Sequence, residues 1–560
     1  MWLVVVDTTQ IQPYIFGSNR LRENVGASYL VDMATGEWAF QAVKDATPAQ
    51  NNIGPGNTLR GEARIEQGLQ AEVLYAGGGN FVVLFDHIEQ VKRFQTALSR
   101  HVLEEAPGLQ LVVAQQELDW HKDILRDRLK EVQRMLAERK RKRVWPTPLL
   151  GLSVTAACRS TGLPATGIVA GIGGEPGYLA SDEIRAKADV ARPLHGSTSE
   201  ADRRLRQIIT LPETYRYPAD FEDLGGTAGE YSYIAIVHAD GDDMGQRMTE
   251  IGQDCENRAY VQALRSFSHE VQQAAKTSLQ VTLDRLMGKI TKAKGGEYYL
   301  VYQTDPQSQR GTIQIKLAKD KGGFPFIPFR PIVFGGDDVT FICDGRLGLS
   351  LATAYLREFE QRTAGLGKDG SGLTACAGIA IVKSHYPFAR AYELAAELTE
   401  SAKKYRRDQH TTGSCLDWHF ALSGLSGSIE QIRAREYTVG EGKLALRPVT
   451  LRDNPVQPEP AWPVVRRGIQ EFQQEEWAER RNKIKALRDA LREGPHAVEH
   501  FLAAFNHDDP LPPVLPARTN WQKTGWQGGF CGYFDAIELA DWFIPLEGEA
   551  DETLATLPAS

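Results

Sequence analysis

The chain has 560 residues, with 64 Lys and Arg against 72 Asp and Glu and a formal net charge of −8. At 42% hydrophobic and 24% charged it has the make-up of a folded protein of about three to four domains, which excludes global disorder. The acid excess excludes a uniformly basic nucleic-acid coat, and no apolar run approaches the ~20 residues of a membrane span.

The opening MWLVVVD meets an acid after six apolar residues and has no basic leader, so Trp2–Val6 reads as a buried strand and not as a signal peptide. A helix follows from about Ser18 to Lys44, with the small residues Gly26, Ala27 and Ser28 inside it. A polar loop, Asn51–Asn57, leads to a hairpin in which AGGGN joins AEVLY to FVVLF. Next come a helix over Ile88–Glu104, the strand LVVAQ, a charged helix from Leu118 to about Arg143 that ends in RKRKR, and a strand GLSVTA. The order β-α-β-β-α-β predicts a ferredoxin-like unit over 1–165.

Residues 166–228 read as a connector with helix in EIRAKADVA and EADRRLRQIIT. The pattern then restarts over 229–410. YSYIAIVHAD is a strand, Tyr260–Ile290 is helix-periodic, and a polar hairpin occupies 295–316. PIVFGGDDVTFIC forms two strands around a Gly-Gly turn, followed by the helix Leu347–Gln361, the strand LTACAGIAIV and the helix Ala389–Arg407. The two units superpose in order: WLVVVD ends at Asp7 as AIVHAD ends at Asp240, and GGGN matches GGDD. The second copy is longer between these landmarks, by an amount the polar hairpin absorbs. The fold class is therefore α+β, two ferredoxin-like units followed by a helical C-terminal domain over 411–560. That last part holds a stiff linker with Pro455, Pro458, Pro460 and Pro463, amphipathic helices, and aromatic residues from Trp521 to Phe543 that belong to a core or an interface.

The six cysteines include no C-x-x-C pair, which excludes a sequence-readable zinc ribbon and makes a reducing, cytoplasmic compartment the expectation. The RKRKR run at 139–143 reads as a solvated helix end or an RNA contact. GLGKDG at 365–370 lacks the P-loop spacing and is a loop.

Nucleotidyl transfer uses two metal ions ~4 Å apart, clamped by a few convergent carboxylates. Magnesium prefers carboxylates plus substrate phosphates. The second unit offers such acids: Asp240 and Asp242 at a strand end, Asp337 and Asp338 in a tight turn. Gly335 and Gly336 let a phosphate approach the backbone. Taken singly, the first pair could be a solvated strand end and GGDD a hairpin turn. Lys403, on the last helix of the unit, is either a triphosphate cation or an exposed lysine on a charged helix.

D-x-D-D-M-G, then GGDD, then AGIAIVKSHYPFARAYELAAELTESAKK resemble the second Palm domain of the large subunit of type III CRISPR effector complexes, a family related to GGDEF cyclases. DTTQIQPYIFGSNRLRENVGASYLVD, YAGGGNFVVLF and SVTAACRSTGLPAT resemble its first Palm domain. The resemblance implies a synthetase that makes cyclic oligoadenylate from ATP by 3′-hydroxyl attack on an α-phosphate with loss of pyrophosphate, an antiviral second messenger. It implies two magnesium or manganese ions on Asp240, Asp337 and Asp338, with Asp242 as a further candidate. Gly335 and Gly336 would admit phosphates and Lys403 would pair with the triphosphate. In the first unit Gly78, Gly79 and Asn80 would form an acceptor-ATP platform without metals. Complex subunits and target RNA are the implied partners.

Two family modules are not expected. The first Palm strand starts at residue 2, leaving no place for an HD nuclease, and the lone His507-Asp508 pair has no partner motifs. The zinc module has no ligand set beyond Cys158. Two other readings remain open on the residues alone: a non-catalytic architectural subunit of an RNA-guided complex, and a stand-alone cyclase using another nucleotide.

Overall fold

Strands of branched apolar residues satisfy their backbone groups only by pairing, and the first repeat is built from four of them. In the computed structural model these are β1 (Trp2–Thr9), β2 (Ala71–Gly77), β3 (Asn80–Phe85) and β4 (Gln110–Glu117). Around them run the helices α1 (Ile11–Phe16), α2 (Leu21–Thr35), α3 (Glu37–Ala46), α4 (Ile88–Glu105) and α5 (Leu125–Lys142). The sheet order is β2-β3-β1-β4, antiparallel throughout, with Asp7 opposite Asn80. The structure describes residues 1–48, 50–142, 154–171, 176–193, 198–225, 232–253, 255–303, 312–367, 370–421, 427–452, 460–474, 477, 480–504, 510–515 and 518–546.

One face of this sheet is covered through Phe40, Phe81 and Phe94, which stack edge-on and face-on at 5.3 and 6.1 Å. On the other face Leu3, Val5, Val82 and Leu84 pack under Leu125, Leu129, Val132 and Leu136 of α5. Those four recur at helical spacing, which is why α5 forms an apolar stripe despite its charge. The expected helix from Leu118 begins only at Leu125, because Asp119 and Asp123 hold a turn through the Asp119 backbone N–H and the Asp123 carboxylate, 2.9 Å apart. The stretch Ser18–Lys44 is two helices, not one, divided at Gly36. GLSVTA yields no strand in its described part, Val154–Ala156; residues 151–153 lie outside the described residues.

The connector contains β5 (Gly167–Val169), β6 (Tyr178–Ala180), α6 (Asp182–Val190) and α7 (Glu200–Ile208). The second repeat then follows with β7 (Tyr233–Gly241), α8 (Met244–Glu250), α9 (Asn257–Gly288), β8 (Ile290–Lys292), β9 (Tyr298–Gln303), β10 (Thr312–Lys316), β11 (Phe329–Gly335), β12 (Asp338–Asp344), α10 (Gly348–Arg362), β13 (Ala375–Lys383), α11 (Phe388–Asp408) and β14 (Cys415–Ala421). Its sheet runs β11-β12-β7-β13, the strand order of the first repeat. The sheet continues past residue 410, because β14 adds parallel to β13 and a short strand, Val449–Thr450, adds to β14. The polar hairpin is a separate three-stranded sheet, β10-β9-β8.

Gly378 explains how α11 is seated. A Cβ there would lie 2.1 Å from the Ala395 carbonyl oxygen, so only glycine lets the helix backbone rest on β13. In the C-terminal part the helices Trp462–Gln473, Arg481–Glu493 and Pro495–Ala504 form as their amphipathic pattern predicts. Trp462 and Pro463 belong to the first of these and not to the linker, since proline suits a first helical turn. Buried Arg447 joins this part to itself, with Asp535 at 3.4 Å and Glu538 at 3.0 Å. Residues 453–459 and 505–509, the linker's middle and the His507-Asp508 pair, lie outside the described residues.

By packing, the chain forms two compact units that are not contiguous stretches. One comprises Met1–Thr210, Asp243–Lys276 and Ile332–Val339; the other Leu211–Asp242, Thr277–Pro331 and Thr340–Ser560. Among the described residues no helix is long and apolar enough to cross a membrane.

Candidate functional site

The acidic end of β7 is held by α11. Lys403 donates to Asp240 Oδ2 at 2.6 Å and to the Gly241 carbonyl at 3.0 Å. Burial works against the Lys403 charge, but Asp240, then Asp242, outweigh it and hold the ammonium above the usual lysine range. An ammonium has three donors, so this fork leaves one. The Asp240 side chain is 37% exposed, which leaves it accessible beside its cation.

Asp242 is placed otherwise. Its side chain is 3% exposed, 3.3 Å from Arg406 Nε, and accepts from the Cys376 thiol at 3.6 Å. Burial raises its pKa, with Arg406 opposing. The arrangement is that of a buried counter-ion. His238, two positions before Asp240 on β7, is buried: Nδ1 lies 3.0 Å from the Thr340 hydroxyl and the ring meets Tyr392 edge-on. Burial, with Lys403 nearby, pushes its pKa down to about 4, so it is neutral at physiological pH.

The glycine turns are built by the same rule in both repeats. Gly78, Gly79 and Gly336 have φ of 58°, 77° and 72°, the left-handed region. The Gly79 carbonyl accepts from the Thr8 backbone at 3.2 Å, and the Gly77 carbonyl from the Tyr75 hydroxyl at 2.7 Å. Asn80 Nδ2 donates to the Gly78 carbonyl at 3.1 Å. The two turns touch: a Cβ on Gly335 would lie 3.4 Å from the Gly78 Cα. Around Gly336 nothing comes within 4 Å of a Cβ position, so that turn is open. Burial, then the charges of Asp337 and Asp7, push the Tyr75 phenol far above its usual range, which places the Asp337 carboxylate near this tyrosine.

Sequence reasoning missed a second lysine. Lys140, in the basic run, donates to Asp7 Oδ2 at 2.5 Å and to the Thr8 carbonyl at 3.1 Å. This repeats the Lys403 fork atom for atom: the carboxylate ending the first strand, the next carbonyl, and a lysine on the helix after the fourth strand. Laying α5 on α11 in the repeat would have found it. Its neighbours are also engaged, Arg139 with the Val113 carbonyl and Lys142 with Glu138 at 2.6 Å, so the described part of the run is not simply a solvated end.

Among the described residues no three His, Cys, Asp or Glu side chains stand close enough to make an ion site by themselves. Such a cage is not what magnesium requires, since it binds through one or two carboxylates and completes its shell with phosphate and water. Asp240, half open with one oxygen on Lys403, fits that donor set; Asp242, buried on Arg406, does not.

The family model described as Cas10/Cmr2, second palm domain, matches residues 233–411. No curated protein matches the chain. Among solved structures, the Csm1–Csm4 cassette in complex with pppApApA matches at 13% identity and TM-score 0.52, covering 96% of this chain and 69% of that one. The cassette with cA4 matches at 14% and 0.50 over 96% and 70%, and that with AMPPNP at 15% and 0.50 over 97% and 69%. At these identities the likeness is one of fold. Residues 233–411 thus match a second palm domain of the Cas10/Cmr2 kind, and the chain shares the fold of the Csm1–Csm4 cassette structures.

Proposed function

We propose that this chain converts ATP to cyclic oligoadenylate, a 3′-hydroxyl of one nucleotide attacking the α-phosphate of another and pyrophosphate leaving. The observation that carries this reading is that the family match falls on the one stretch holding both HADGDD and GGDD. The structures it resembles in fold include ones described with pppApApA, cA4 and AMPPNP, which supports a nucleotide substrate and an oligoadenylate product.

In this reading Asp240, with Asp337 and Asp338 assigned by motif, would hold magnesium or manganese. Such ions would supply charge neutralisation during phosphoryl transfer. Lys403 pairs with Asp240 and offers its third N–H to a phosphate oxygen. Gly335 and Gly336 let phosphate approach the backbone, and Gly78, Gly79 and Asn80 support the acceptor nucleotide. Asp242, through Arg406, positions α11 and hence Lys403. The resembling structures pair Csm1 with Csm4, which supports a complex with other protein subunits as the working environment; target RNA is the further partner of this reading.

The test is incubation of the full chain with ATP and magnesium or manganese, with and without complex subunits and target RNA, and mass spectrometry of the products. Cyclic oligoadenylate from the wild type, and none from an Asp337→Ala/Asp338→Ala variant, is the expected result. Equal products from both, or none under any condition, would overturn the reading.

A further inference from the structure

The helix α5 carries more positive charge than its own surroundings use. Within Leu125–Lys142 eight Lys and Arg stand against three Asp and Glu, a local charge of +5 in a chain of −8. Each of the three acids is already answered by a cation of the same helix: Asp127 by Arg126 at 3.2 Å, Glu131 by Arg128 at 2.9 Å and Glu138 by Lys142 at 2.6 Å. Arg139 and Lys140 are engaged by the sheet, at the Val113 carbonyl and at Asp7. That leaves Lys130, Arg134 and Arg141. All three are exposed, and among the described residues none of them has a hydrogen-bond or ion-pair partner.

The three surplus cations form one row. Residues four and eleven apart on an α-helix fall within about 40° of one direction, so Lys130, Arg134 and Arg141 share a face, with rises of about 6 and 10.5 Å between them. That face points away from Leu125, Leu129, Val132 and Leu136, the residues α5 buries. Ala137 stands on the same line, between Arg134 and Arg141, and its small side chain lets a ligand lie close against the helix.

A row of cations suits either an acidic protein or a nucleic-acid backbone, and the rest of the face decides between them. A protein partner needs an apolar or aromatic centre to its interface, and this face offers only the methyl group of Ala137. A nucleic-acid strand asks for no more than cations in line with its phosphates. With no aromatic ring on the row, bases have nothing to stack on, so the contact is to the backbone alone.

We propose that the outer face of α5 binds the phosphodiester backbone of a nucleic-acid strand through Lys130, Arg134 and Arg141, without reading its bases.

The test is binding, so it is separable from turnover. The full chain is titrated by fluorescence anisotropy against a fluorescein-labelled oligouridine and an oligothymidine of the same length, over a range of potassium chloride. Saturable binding of both with similar affinity, weakening as salt rises, is expected. Lys130→Gln/Arg134→Gln/Arg141→Gln should weaken it by about tenfold or more with unchanged circular dichroism. The slope of log affinity against log salt should fall by about 2 in the same variant, three phosphate contacts at ~0.7 each on a single strand. Lys92→Gln/Arg93→Gln/Arg100→Gln removes the same charge from the exposed side of α4 and should stay within threefold of wild type. No binding by the wild type, or an equal loss in the two triple variants, would overturn the inference. So would displacement of the oligonucleotide by polyglutamate as readily as by unlabelled oligouridine, which would point to an acidic protein. Binding as described by a chain that makes no cyclic product would instead count against the proposed activity alone.

Discussion

Removing the Lys403 ammonium should separate its structural from its chemical role. In Lys403→Met the stem is kept while Asp240 loses its cation. Exposed pairs contribute about 0–1 kcal/mol, and stripping one partner from a buried pair costs about 3–5 kcal/mol. Here the lysine is 15% exposed and the aspartate 37%, so solvent compensates in part and the loss should be about 2 kcal/mol. For the compact unit that holds both residues, Leu211–Asp242 with Thr277–Pro331 and Thr340–Ser560, that lowers the melting transition by roughly 3 °C. Asp240→Asn in the same background removes the stranded charge, so the double variant should be less destabilised than the sum, by about 1 kcal/mol. Product formation should follow the opposite logic, falling about 100-fold or more in Lys403→Met and not returning in the double variant. Calorimetric melting and a mass-spectrometric product assay on the same four proteins read both. Additive melting shifts, or a Lys403→Met rate within threefold of wild type, would refute the reasoning.

Other consequences can be checked alongside. Gly378→Ala would drive a Cβ into the Ala395 carbonyl and push α11 off the sheet, costing about 3 kcal/mol or more and, through the displaced Lys403, activity; hydrogen exchange along α11 would read the displacement. Arg447→Met leaves buried Asp535 and its neighbour Glu538 without their cation, a loss of about 3–5 kcal/mol, seen as accelerated proteolysis of the C-terminal helices. Burial, with Arg447 and Arg433 close by, holds the pKa of His419 down to about 3, below the unfolded value near 6.5. The stability this neutral histidine contributes is complete above pH 6.5 and is lost as pH falls toward 3, so acidification should lower the melting temperature less in His419→Gln than in wild type.

The sheet cores were legible because their strands are apolar runs of the right length, and because the order of elements occurs twice; each unit is then read with the help of the other. The acids and the glycine turns were legible for the same reason. What escaped was decided by contacts distant in sequence. Nothing local distinguishes Asp240 from Asp242, yet one meets Lys403 half in solvent and the other is buried on Arg406 and Cys376. Lys140 was hidden among like charges, since a basic helix end looks the same whether its lysines face water or a carboxylate 133 residues earlier. The start of α5 was missed because Asp119 and Asp123 compete for backbone N–H groups, a turn signal that the following charge pattern obscured. β14 was missed because the helical unit before it already completes a ferredoxin-like order.

The meeting of Gly78 and Gly335 has a mechanical meaning. Where side chains meet, a displacement of one element is absorbed by rotamer changes, and the neighbour moves less or not at all. Two glycines in contact have no rotamers to spend. The first turn is also tied into its own sheet, β3 to β1 by full register and the Gly79 carbonyl to Thr8. A shift of either hairpin is therefore passed to the other nearly undiminished, or the contact parts altogether.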